Sequence, residues 1–276
     1  MAQELVTADW LLEHLNDPNV RVVDCRWVVG EPGEGRRQYE AGHIQGAAHL
    51  DIEKHMTGKN GPGRHPLPGR RQFQDALSEI GVTRETRVVA YDSGSGMPAA
   101  RLWWLLNYYG HENVSILNGG WNGWLAKGGP VSTEVPQFSK TEFVGRPRRK
   151  WVTDKEGVDS LRDHADILLI DARAPERYRG EVEPYDTRPG HIPGALNFPF
   201  SQALDPSTGL FRKPEELKAE FDKMGAKDAE TIICYCGSGI TACTDILALK
   251  LAGYEAQLYE GSWSDWSADN DLPAAK

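Results

Sequence analysis

The 276 residues hold little positive charge, few cysteines and no long apolar run. Lysine and arginine total 31 against 40 acidic residues, a net charge of −9. That balance argues against nucleic acid or an anionic membrane as the main partner, and any anionic ligand must be gripped by particular arginines. No apolar stretch approaches the length of about 20 residues needed to span a bilayer. The amino terminus, MAQELVTADWLLEHL, has no basic segment followed by an apolar run, so no secretory signal is expected. Four cysteines in a chain this long do not make a disulfide framework, and no two pairs have zinc-ligand spacing. A reduced, cytoplasmic compartment is the expectation.

What the chain does have is concentrated between Thr231 and Gly253. Thr231 to Tyr235 is apolar and β-prone, short enough for a buried strand. From about Thr241 to Ala252 the pattern is helical, with Gly253 as a C-terminal cap. Between them Cys236 is followed by Gly237, Ser238, Gly239, Ile240 and Thr241. Glycines in such a turn let backbone N–H groups face inward, and the helix N-terminus adds partial positive charge. An anion cradle of this kind draws a cysteine pKa from about 8.5 to roughly 3.5–7.5, so Cys236 is read as a thiolate nucleophile. Cys234 and Cys243, on the strand and on the helix, read as small buried hydrophobes.

The loop is also the last part of a repeat. Val20 to Arg26 and Ile167 to Arg173 are strands that each end in Asp-x-Arg, with Asp171 lying 147 residues after Asp24. His191 of Gly-His-Ile follows His43 of the same triplet by 148 residues. Cys236 follows Asp92 by 144, and Trp263 follows Trp121 by 142. Four landmarks in one order at nearly one offset indicate a tandem duplication. The expected division is 1–135 and 151–276, with 136–150 as a polar linker holding Pro136 and Pro147. Buried strands alternating with helices predict an α/β fold, each copy a doubly wound parallel sheet flanked by helices. Ligands of such sheets bind beyond the carboxyl ends of the strands, where Cys236 falls. Asp92 in the equivalent place cannot attack sulfur, so the first copy is expected to be chemically silent.

These residues resemble the tandem-rhodanese sulfurtransferases: the paired Asp-x-Arg strands, the two Gly-His-Ile segments, the glycine-tryptophan ends and the six-residue loop from Cys236. Within that family CGSGITAC is similar to the 3-mercaptopyruvate type, because thiosulfate-specific members carry basic residues where this chain has Gly237 and Ser238. The resemblance implies two rhodanese-like domains, the first inactive. It implies Arg179 and Arg188 as the grip on the donor carboxylate and ketone, with Gly237, Gly239, Ile240 and Thr241 in contact with the donor. Ser238 is implied as a proton relay or donor contact, with His65 and Glu53 from the first copy working beside it. His43 and His191, present in both copies, are expected to bond backbone, and Asp171 with Arg173 to be architectural. The implied reaction takes sulfur through a Cys236 persulfide to a thiol, thioredoxin or cyanide, needing no metal or organic cofactor. Transfer from thiosulfate to cyanide is the alternative activity. A non-catalytic sulfur-carrier or binding module fits the first copy but not the second. A cysteine phosphatase or arsenate reductase needs C-x5-R, and Ala242 stands at the arginine position.

Overall fold

The computed structural model describes residues 3–276, which form two compact units. The first holds the chain up to Thr57, Pro68–Arg148 and Pro206–Leu210; the second holds Gly58–Leu67, Arg149–Asp205 and Phe211–Lys276. The stretch 58–67 thus leaves the first sequence copy and packs with the second unit. The expected linker lies along the first unit as far as Arg148. Thr141 Oγ1 donates to Val82 O at 2.6 Å and Arg146 N to Tyr109 O at 2.8 Å.

Each unit is built on a five-stranded, all-parallel sheet flanked by helices. In the first, the order is Leu5–Val6, Val114–Leu117, Arg87–Tyr91, Val20–Asp24, Ala48–His49. In the second it is Val152–Thr153, Gln257–Tyr259, Thr231–Tyr235, Ile167–Asp171, Leu196–Asn197. The two orders are the same, strand for strand, which is the duplication seen as topology. The central strand of each sheet is hydrogen-bonded on both sides. Arg87–Tyr91 and Thr231–Tyr235 are therefore nearly continuous apolar runs rather than alternating ones.

Each central strand feeds a helix buried almost all round: Met97–Tyr108 in the first unit, Ala242–Leu251 in the second. An apolar helix without a polar face belongs in a core. The second of these also buries Asp245, whose two carboxylate oxygens have no hydrogen-bond partner among the described residues. Leu11, Ile44, Val89, Tyr91 and Trp124 pack one core; Leu169, Ile192, Ile233, Tyr235, Tyr259 and Trp263 pack the other.

The landmarks of the repeat make the same bonds twice. Arg26 pairs with Asp24 at 2.6 Å and donates to Gly42 O, also at 2.6 Å. Arg173 pairs with Asp171 at 2.6 Å and donates to Gly190 O at 2.7 Å. Their guanidiniums lie over Trp121 and Trp263, 4.6 and 4.8 Å from the ring centroids. His43 Nδ1 bonds Tyr39 O at 2.7 Å and His191 Nδ1 bonds Tyr178 O at 2.8 Å, each ring stacked on that tyrosine. Buried pairs of this kind gain through their added hydrogen bonds, and removing one partner strands a charge.

Candidate active site

Cys236 stands one residue beyond the end of the Thr231–Tyr235 strand and is 1% exposed. Gly239, at φ +79°, turns its N–H back to the sulfur at 3.1 Å. The N–H groups of Ser238 and Ala242 and the Thr241 hydroxyl face the same atom. Burial alone pushes the thiol up, but these four donors outweigh it, and the Cys236 pKa falls below its ordinary value. Cys25 and Cys234 lack such a cradle, and burial first, then neighbouring acids, pushes both thiols well up. Only a cradled cysteine is ready as an anion.

The pH dependence follows from the sign of that shift. A thiolate nucleophile loses activity as pH falls through its pKa, so the acid limb of kcat/KM should lie below the ordinary thiol range. Thr241→Val removes one donor to the anion and should move the limb to higher pH, with the plateau at high pH nearly unchanged. A pH–rate series on the two proteins checks this; coincident limbs would mean that the Thr241 hydroxyl does not reach the charge.

The back of the loop is fixed by the residues following the Gln257–Tyr259 strand. Trp263 N donates to Cys236 O at 2.9 Å and Ser264 N to Gly237 O at 3.0 Å. Ser262 accepts from Cys236 N at 3.2 Å and donates to Tyr259 O at 3.0 Å. Among the described residues Ser262 is the one non-glycine at positive φ, +53°. Such strain marks a position that its surroundings over-determine. Gly120 takes the same place in the first unit, at φ +54°. There the Asp92 carboxylate accepts from Gly94, Gly96 and Ala99 N–H groups at 2.7, 3.1 and 3.2 Å. The first unit's cradle is filled by its own side chain.

The structure brings to the Cys236 loop a pair of guanidiniums other than Arg179 and Arg188. A Cβ on Gly237 would stand 2.9 Å from Arg64 Nη2 and 3.2 Å from Arg177 Nη1, so both arginines lie against the loop backbone. Arg179 instead faces solvent, 53% exposed and paired with Glu181 at 2.7 Å. Arg188 spends its fork on four carbonyls, those of Ser267, Leu272, Trp266 and Asp269, at 2.6–3.2 Å. It ties down the carboxyl-terminal segment, and its donors are committed there. Arg177 stands two residues before Arg179 in Arg177-Tyr178-Arg179, and only Arg179 was expected at the donor. Telling them apart needs the phase of the short Pro175–Tyr178 helix, because neighbouring residues on a helix point apart.

Arg64 and Arg177 end a row of alternating charges. Asp171 pairs with Arg173, Arg173 with Glu183 at 3.2 Å, and Glu183 with Arg177 at 2.7 Å. Arg177 then pairs with Asp186 at 3.1 Å, and Asp186 pairs with Arg64. Burial pulls the Arg64 guanidinium down, and the facing Cys236 thiolate works in the opposite direction.

The other expected residues are divided between the units. Gly237, Ser238, Gly239, Ile240 and Thr241 form the loop itself, with Ser238 8% exposed. His65 lies half-buried on the 58–67 segment of the second unit. Glu53 is exposed on the Ile52–His55 helix of the first unit. Arg64, Arg177 and Ser262 were not anticipated. The one sequence signal for Arg64 is its place next to His65 in a glycine-rich turn, and the signal for Ser262 is its neighbour Trp263.

Comparison with known proteins agrees with this geometry. The rhodanese-like domain family matches twice, over residues 7–127 and 154–269. The "Probable 3-mercaptopyruvate sulfurtransferase" of Pseudomonas aeruginosa is 38% identical, over 99% of this chain and 98% of its own. A Mycobacterium tuberculosis protein named "Putative thiosulfate sulfurtransferase SseB" is 35% identical, over 99% of this chain and 97% of its own. The crystal structure of the Escherichia coli 3-mercaptopyruvate sulfotransferase SseA superposes with a TM-score of 0.85 at 34% identity. That match covers 95% of this chain and all of SseA. Two matched domains, one cysteine in a cradle of donors and near-full-length likeness to sulfur-transferring enzymes lead to one conclusion: the chain belongs to the rhodanese-like family, as a sulfurtransferase of two tandem domains.

Proposed function

We propose that the enzyme moves sulfur from 3-mercaptopyruvate, through a persulfide on Cys236, to a thiol, thioredoxin or cyanide acceptor, releasing pyruvate. The observation that carries this reading is the Cys236 sulfur inside a ring of N–H and O–H donors, with Arg64 and Arg177 against Gly237. The thiolate attacks the donor sulfur, and an S–S bond forms as the C–S bond breaks. The electron pair of that bond passes to carbon as the enolate of pyruvate, which then takes a proton. Guanidinium forks suit the planar carboxylate of such a donor, and their charge stabilises the departing enolate. Loop N–H groups hold the negative sulfur before and after transfer. An acceptor nucleophile then attacks the outer sulfur and returns Cys236 as thiolate.

Ser238, buried in the loop, and His65, on the segment packed with the same unit, are proposed as the groups that hold or pass the enolate's proton. Glu53 is proposed as an auxiliary acid of the first unit. The four cysteines, present as thiols rather than disulfides, suit a reducing, cytoplasmic setting, and no described helix is long and apolar enough to cross a membrane.

A second reading, thiosulfate as donor, draws support from the arginine pair and from the name of the Mycobacterium relative. Steady-state rates of the purified protein with each donor and cyanide decide between the two. The expected result is a kcat/KM for 3-mercaptopyruvate at least about tenfold above that for thiosulfate, a margin of one charge-assisted contact. A preference for thiosulfate would overturn the donor assignment.

A further inference from the structure

The guanidiniums beside Gly237 are not free charges. Asp186, its side chain 3% exposed, accepts from Arg64 Nη1 with one oxygen and from Arg177 Nη2 at 3.1 Å with the other. Both arginines also lie over the Tyr185 ring, 5.6 and 5.1 Å from its centroid. Counted with Asp171, Arg173 and Glu183, the row holds three guanidiniums and three carboxylates and is neutral as a whole. What it offers a donor is therefore direction rather than net charge. Arg64 Nη2 lies against Gly237, and Arg177 Nε is buried with no partner among the described residues.

We propose that Asp186, by bridging Arg64 and Arg177, sets the donor charge that the enzyme accepts. A monoanionic carboxylate can take the arginine donors without needing surplus positive charge. A compact dianion such as thiosulfate must come beside the Cys236 thiolate with nothing to offset its second charge. Basic residues in the loop are unnecessary for this, because the arginines reach Gly237 from outside it. The inference rests on the persulfide reading above and goes beyond it by naming the group that tunes selectivity.

The measurement is the ratio of kcat/KM for thiosulfate to that for 3-mercaptopyruvate, in the full-length enzyme and three variants. Asp186→Asn frees one positive charge and should raise the ratio about tenfold, the scale of one partly buried charge at contact range. Arg64→Gln removes one positive charge and should lower the ratio. Glu181→Gln alters net charge as Asp186→Asn does, at an exposed residue paired with Arg179, and should leave the ratio alone. A merely structural role would depress both donors together in Asp186→Asn and in Arg64→Gln. Ratios that move the same way in those two, that stay fixed, or that shift equally in Glu181→Gln overturn the proposal. Should Asp186→Asn fail to fold, the Arg64→Gln ratio decides alone, since that side chain is a third exposed. Persulfide forming normally on Cys236 with an unchanged ratio defeats this inference only, whereas no persulfide from either donor defeats the underlying reading and the inference with it.

Discussion

Cys236→Ser should abolish both turnover and the persulfide while leaving the fold intact. The oxygen of serine fits the same cradle, so Gly239 N–H and the other donors keep a partner. A hydroxyl is far less acidic than a thiol, however, and no cradle of four neutral donors makes it an anion at neutral pH. The other cysteines cannot take over. Burial keeps Cys25 and Cys234 protonated, and Cys243 is buried on the helix with its Sγ 3.4 Å from Gly239 O. Incubation with donor and no acceptor, followed by mass spectrometry of the peptides, should place one added sulfur on Cys236 in the parent and none in the variant. An adduct on Cys234 or Cys243 would overturn the assignment of the nucleophile.

Arg177→Met should lower kcat/KM for 3-mercaptopyruvate by about 10–100-fold, the worth of a charged hydrogen bond of about 1.5–3 kcal/mol. Methionine keeps much of the packing and loses only the fork. A rise in KM alone would mean that the guanidinium holds the donor carboxylate; a fall in kcat as well would mean that it also steadies the enolate. Glu183 and Asp186 each lose a partner, so the melting temperature should fall too. Arg177→Lys separates the two effects, because it restores charge without the fork. Arg188→Met is the contrasting case. Four carbonyls lose their donor, so stability should drop while kcat/KM of the folded fraction stays near the parent value. Loss of activity with unchanged stability would return Arg188 to the donor site.

The sequence marked the Cys236 loop, its strand and its helix clearly because those signals are local. Thr231–Tyr235 is the expected strand, and the helix runs Ala242–Leu251 with Gly253 at φ +90° just beyond it. Duplication supplied its own alignment, and with it Asp92 in the place of Cys236. The arginines could not be chosen this way. Arg64 and Asp186 are 122 residues apart in the chain, and nothing in composition or period joins them. Ser262 was hidden for a different reason. A backbone strain is a property of closure, and a serine gives no sign that its φ will be positive. Arg188 shows why an arginine's role is hard to read from sequence: the fork that suits a ligand carboxylate also suits the peptide carbonyls it holds here.

The exchange of segments, 58–67 to the second unit and 206–210 to the first, has a consequence for the history and the making of the chain. On the ribosome the first unit is not complete until residue 210 has emerged, long after the end of its own sequence copy. The second must recruit a stretch made before it began. A gene cut at the junction would yield a back half that keeps Cys236 but forfeits Arg64 and His65. Its descendants would have to evolve another anion grip, for instance basic side chains within the loop. The lacing of the two copies thus makes the doubling hard to reverse, and it gives the first copy a reason to persist.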